Sequence, residues 1–370
     1  MNQRVGVILL ASFVTCFVGS CAVGTLTLVQ GLVESIERPA PPPIVEPDLS
    51  PSRSEPSSTE PDEPLATPEP ATPEPTDTAS SDDFFSPSLA TAEYAVFHVD
   101  RPKKDPLKTL RAAVKGTRLT VYEGAAPDEA IPPYLTLRVL TTDEYPLATG
   151  ATLDDATWLP PALKKSVKSS KVVSVIDAVL PPHELDALLS VDLVMLAYAT
   201  ATGGALWDEE SQNYYGPADW KTRRIASWDK KLPDALNHFT VFTDANDRTE
   251  TLKTSGLNQF ALPELELKGV PVELESLAIS MVNALAQTTI EAGATLQPGP
   301  HTLRLGDLQH RARRQDELTG LGDDAQQEVE LILVGKLVDD EPVLELTFPG
   351  AGAPGDRIAA GLKSLYGTQE

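Results

Sequence analysis

Apolar and polar positions divide this chain into three stretches of different character. Residues 5–29 form a run of twenty-five without a charged side chain. As a helix rising ~1.5 Å per residue, the run covers roughly 37 Å, enough to cross a hydrocarbon core of about 30 Å with some tilt. Residues 39–88 are the reverse, with fourteen prolines, eleven acidic side chains, one base (Arg53) and a tandem ATPEP at 66–70 and 71–75. Beyond them, short strand-like stretches alternate with amphipathic helical ones. The expected organisation is a membrane anchor or signal segment at 1–38, a disordered linker at 39–90 and a globular part at 91–370, as one domain or two packed subdomains.

Within the globular part, the spacing predicts strands at 93–99, 118–122, 134–140 and 171–180. A helix is expected over 106–115, with Pro106 in its first turn and Gly116 beyond its end. The nearly continuous apolar run at 184–198 reads as one buried helix, although periodicity alone also allows a helix followed by a strand. The clearest helix spans 272–292, where Leu274, Leu277, Ala278, Met281 and Leu285 form a stripe and Gly293 closes the end. Near the C-terminus, 328–338 and 343–348 read as a hairpin with Val329, Leu331 and Leu333 pointing inward. The fold class is therefore α+β, with mixed or antiparallel sheets covered by helices, preceded by the transmembrane helix and the linker.

The N-terminal segment admits three readings. A transmembrane anchor fits its length, because signal-peptide apolar regions run to only ~7–15 residues. The sequence Val18-Gly19-Ser20-Cys21 resembles a lipobox, which would make Cys21 a lipidation site, and simple cleavage near Ala22 is the third reading. All three place the domain outside the cytoplasm, since Arg4 and the amino terminus precede the segment while Glu34, Glu37 and one base, Arg38, follow it. The expected location is the bacterial inner membrane with the domain facing the periplasm, or the envelope as a lipoprotein.

Both cysteines, Cys16 and Cys21, lie in the N-terminal segment, so the globular part holds together without disulfides. A net charge of -24 argues against nucleic acid, whose phosphates need a basic surface. The expected partners are the membrane, through the N-terminal segment, and an envelope protein or small ligand of unknown identity.

Residues 199–228 are the most distinctive stretch. A Gly203-Gly204 break leads into Leu206, Trp207 and Asp208, which read as a hairpin with residues 213–215. A following helix is expected to carry Trp220, Arg224 and Trp228 at spacings of four. Trp207, Asp208, Trp220, Arg224 and Trp228 are the candidate ligand or partner surface. The competing reading packs these aromatics against the sheet, with Arg224 lying along an indole.

This TGGALWD segment, together with LKTSGLNQFALPELEL at 252–267, resembles uncharacterised bacterial domain families. In these, TGG-hydrophobic-D precedes T-x-G-hydrophobic-x-x-F-x-x-P-[DE]. The matching positions are Thr202, Gly203, Gly204, Asp208, Thr254, Gly256, Phe260, Pro263 and Glu264. Ala261 stands where the pattern has glycine. The resemblance implies a shared fold and no known chemistry.

Catalytic and cofactor motifs do not assemble. Residues 350–355 spell GxGxxG, but no second strand and no acidic residue about twenty positions later complete a dinucleotide site, and Pro354 lacks a donor for phosphate. Ser227 and Lys230 give SxxK, and Ser211 and Asn213 give SxN, in the wrong order for a penicillin-binding set. The five histidines lack zinc spacing, and Asp244, Asn246, Asp247 and Glu250 read as a turn between strands rather than a calcium loop. HRARR at 310–314 is read as the one basic cluster and is followed closely by acids. No cofactor, metal or catalytic residue is expected from motifs. The functional expectation is a membrane-anchored envelope protein with an extracytoplasmic binding or structural domain. The alternative is an extracytoplasmic hydrolase whose site is assembled from distant positions.

Overall fold

The computed structural model describes residues 89–145, 153, 156, 159–245, 249–308, 321–322, 324–338 and 341–368. The segment read as anchor, the linker up to residue 88, the lipobox at Cys21 and the HRARR cluster lie outside the described residues, and Ala90, expected to end the linker, already opens the first strand.

The first sheet is built around β1 (Ala90–His98). Its order is β2 (Thr120–Glu123), β3 (Tyr134–Thr141), β4 (Val172–Leu180), β1, β5 (Ala205–Asp208) and β6 (Asn213–Tyr215). All its neighbours pair antiparallel except β2 and β3. Residue parity along β1 divides two cores. Ala90, Ala92, Tyr94 and Val96 face a large core shared with α1 (Pro106–Ala113) and α3 (Leu185–Thr202). Ala95 and Phe97 face a smaller core under α2 (Pro161–Lys168). Period-two geometry makes this split unavoidable once both faces are covered.

The second sheet runs β10 (Gly299–Arg304), β11 (Glu328–Val338), β12 (Glu341–Thr347), β9 (Glu264–Pro271), β8 (Thr249–Ser255) and β7 (Thr240–Ala245). Only β12 and β9 pair parallel, so both sheets are mixed. Val329, Leu331 and Leu333 point inward from β11 as expected, and meet α5 (Glu275–Ala292) and α6 (Pro354–Tyr366) in the same large core. That core therefore runs from the inner face of one sheet through the helices to the inner face of the other. The α+β class with mixed sheets covered by helices holds, with six helices among the described residues, counting the short α4 (Pro217–Trp220).

Helix α3 resolves the ambiguous run at 184–198 as one helix, ended by Gly203 in the left-handed conformation, where an L side chain would be strained. It is the one described helix long and apolar enough to cross a membrane, but half of it is buried in the domain. Each large apolar side chain it buries contributes about 1.5–3 kcal/mol. The helix expected to carry Trp220, Arg224 and Trp228 together is shorter than expected. After α4 it becomes a π-turn, Lys221–Ile225, and Trp228 lies beyond its end. The extra residue in a π-turn swings the backbone, so Arg224 points into the core while Trp228 leaves the helical register. Strands β9 and β10 and helix α2 were not read from the sequence, because each is short or polar on one side.

Candidate functional site

Arg224 occupies the junction of the two sheets and is fully buried. Isolated burial of a guanidinium is prohibitive, so every donor must find an acceptor. One terminal nitrogen, Nη1, binds Asp208 Oδ2 at the end of β5 and the Asn237 carbonyl oxygen at 3.2 Å. The other, Nη2, donates to Asp192 Oδ1 of α3 at 3.1 Å, and at 3.3 Å to both the Tyr94 hydroxyl of β1 and Gln259 Oε1. Nε donates to the same Asp192 oxygen at 3.3 Å. The guanidinium stacks over Trp220 at 4.8 Å, and the Trp220 indole N–H donates to the Asp192 carbonyl oxygen at 2.9 Å. Gln259 sits in the 3-10 turn Leu257–Phe260 that leads into β9. One cation therefore holds both sheets and α3.

The surroundings hold more acid than base. Asp192 and Asp208 are completely buried, and Glu210 nearly so. Burial pushes both aspartates upward against the pull of Arg224. Burial, then the neighbouring Asp208, pushes Glu210 up to about 8. Glu210 therefore carries a proton at neutral pH and accepts from the Glu93 N–H through Oε1 at 3.2 Å. His238 is driven well below its ordinary value by burial and then by Arg224, so it is neutral. Because Gln259 Nε2 donates to the carbonyls of His238 and Gly256, its Oε1 faces His238 Nδ1 at 3.3 Å, which assigns the proton to Nδ1. His238 Nε2 is then an acceptor 4.0 Å from Asp192 Oδ2, with the Trp228 indole beside them.

These contacts place the sequence candidates. Asp208, Trp220 and Arg224 share the cluster, and Trp228 stands at its edge, edge-on to His238 at 5.9 Å. Trp207 has opposite parity to Asp208 and lies on the other face of β5. There it packs on Tyr214 at 4.4 Å and donates to Glu209. Trp207, Asp208, Trp220 and Arg224 are all buried, and Trp228 is half-buried.

The pattern positions quoted above also acquire physical roles. Thr202 caps the Tyr198 carbonyl at 2.8 Å. A side chain at Gly204 would collide with Val96 at 2.3 Å and His98 at 2.9 Å, so only glycine lets β5 lie against β1 there. Glu264 accepts the Thr254 hydroxyl at 2.5 Å and the N–H groups of Gly256 and Leu257 at 2.8 and 2.9 Å, fixing the turn that carries Gln259. Ala261 has φ of 56°, the left-handed region, which explains glycine at that place in the pattern.

A second polar chain lies in the first sheet. Tyr198 donates to Ser174 Oγ at 2.8 Å, and Ser174 lies 3.1 Å from His98 Nε2. Burial lowers His98 to about 4, leaving it a neutral base. This chain was missed because its members come from β1, β4 and α3 and share no local spacing. Asp192 did leave a signal, a lone acid inside an apolar helix, which requires a buried cationic partner. No group of three or more His, Cys, Asp or Glu suited to a metal ion occurs among the described residues. Comparison with family models, curated proteins and solved structures returns no match to this chain.

Proposed function

We propose that this chain is a membrane-anchored bacterial envelope protein whose domain, outside the cytoplasm, serves as a binding or structural module. The observation that carries the reading is the uncharged apolar run at 5–29, followed from residue 39 by an acidic proline-rich segment and then by a fold whose first described strand begins at Ala90. The globular part has no cysteine, which suits an oxidising compartment. The Arg224 cluster braces the junction of the sheets, as a rigid scaffold requires. The test is fractionation of tagged full-length protein in a Gram-negative host, with protease added to spheroplasts and the mass of the N-terminus measured. Membrane association with an externally cleaved domain is expected, and an intact or lipid-modified N-terminus separates anchor from lipoprotein. A domain protected from protease overturns the reading.

The Ser174–His98 pair favours a second reading, an extracytoplasmic hydrolase, because a hydroxyl beside a neutral imidazole is the nucleophile and base of acyl transfer. Both side chains are buried. Covalent labelling of the full-length protein by a fluorophosphonate, abolished in Ser174→Ala, would establish it; no labelling leaves the binding module.

A further inference from the structure

In a chain of net charge -24, seven bases gather in and around one short element. Arg101, Lys103, Lys104, Lys108, Arg111, Lys115 and Arg118 lie in and around α1, all exposed, with Asp100 and Asp105 the only acids among them. Asp105 caps the helix by accepting from the Lys108 N–H at 2.9 Å. Arg118 is paired with Glu184 at 2.7 Å. For Lys103, Lys104, Lys108, Arg111 and Lys115, no acidic side chain lies within ion-pair distance among the described residues. Lys108 and Arg111, three apart on α1, share one face of the helix, and Lys104 and Lys115 flank its two ends, so the four bases run along the element as one stripe. Beside the stripe, between α1 and α3, runs a groove of about 470 Å³ with Lys104, Asp105, Lys108 and Thr109 on one side. Ala112, Ala113, Ala197 and Ala201 complete its lining. A lining of alanines beside lysines suits a chain of small apolar residues interrupted by carboxylates.

The same polypeptide contains such a chain. Residues 39–88 carry eleven acids against one base, and the repeat at 66–75 alternates proline, alanine and threonine with glutamate. We propose that this acidic proline-rich segment docks on the α1 stripe and the adjoining groove of its own domain. Geometry permits it. The described chain begins at Leu89, one residue before β1. The nine residues of β1 separate that point from the α1 end of the sheet by about 30 Å at a strand rise of ~3.3 Å. The repeat lies some fifteen to twenty-five residues before Ala90, a contour of about 45–75 Å at ~3.1 Å per residue in the extended proline-rich form. Tethering adds an effective concentration in the millimolar range, so individually weak ion pairs suffice. The inference does not depend on where the domain resides.

Zero-length carbodiimide cross-linking of the full-length protein, in membranes and after detergent extraction, tests it by mass spectrometry. Mixing isotopically labelled and unlabelled protein separates links within one chain from links between chains. Intrachain links from Glu69, Glu74 or Asp77 to Lys103, Lys104, Lys108 or Lys115 are expected, falling at least about tenfold in ~0.5 M salt as screening shortens to a few ångströms. Reversing the stripe with K104E, K108E, R111E and K115E, all exposed positions, should remove the links to Lys103, whose amine that variant keeps. Thermal unfolding of that variant shows whether its domain is folded. If it is not, the salt series on the native sequence decides. Links spread over Lys253, Lys268 and Lys363 as often as over α1 would overturn the proposal. So would links only between chains, or protection of the α1 lysines that appears only with anionic vesicles.

Discussion

Strand β1 buries seven of its nine residues, whereas the first seven residues of β11 alternate strictly between exposed and buried. The central strands β1 and β4 of the first sheet are covered on both faces. The second sheet is covered on one and exposes Ile332 and Val334 among a lattice of charges on the other. Each sheet keeps its ions accordingly. Inside, Arg224 meets Asp192 and Asp208 with no solvent access. Outside, Lys268 bridges Glu266 at 3.1 Å and Glu345 at 2.9 Å, with Lys336 completing the ladder across β9, β12 and β11. The contrast teaches that the number of ion pairs says little about their value. Desolvation decides whether a partner can be lost.

Removing a buried partner is the severest way to break the comparison. Arg224→Met leaves two carboxylates unpaired in the core, and urea unfolding should show a loss of about 3–5 kcal/mol or failure to fold. A loss below about 1 kcal/mol would show that the cluster does not join the sheets. The second expectation concerns protons. Glu210 is held near 8 when folded against an ordinary 4.5, so its contribution is full below about pH 4.5 and is lost as pH rises toward 8. Urea midpoints at pH 5, 6, 7 and 8 should therefore fall less steeply for Glu210→Gln than for the native protein, and an unchanged slope would refute the assignment. At the outer face, Lys268→Ala should cost no more than about 1 kcal/mol, and less in high salt. The smallest effect is expected at Ala261→Gly. Relief at a positive φ offsets the lost methyl and added chain freedom to within about 0.5 kcal/mol, whereas Ala284→Gly inside α5 should cost about 1 kcal/mol or more.

What could be read beforehand follows the same division. Alternation in β11 announces its inward residues because one face meets water. In β1 and β4 both faces are covered, so the pattern announces burial but not which residue joins which core, and the separation of Trp207 from Asp208 was hidden. The Trp220–Arg224 proximity followed from helical spacing, but Trp228 was misplaced because a π-turn has no compositional mark. His238 and Gln259 joined the cluster through turns whose conformation depends on Glu264 and Gly256. The basic stripe on α1 escaped notice because its members are spread among apolar residues, whereas HRARR is contiguous.

The position of β1 has a mechanical consequence. It is the first strand after the N-terminal segment and a central strand, held on one side by nine register positions with β4 and on the other by four with β5. A pull on the N-terminal segment along the strand axis loads these ladders in shear. Many hydrogen bonds must then yield together, instead of opening one after another as they would on a peeled edge strand. A chain tugged from that end would transmit force into a strand of its fold that is braced on both edges.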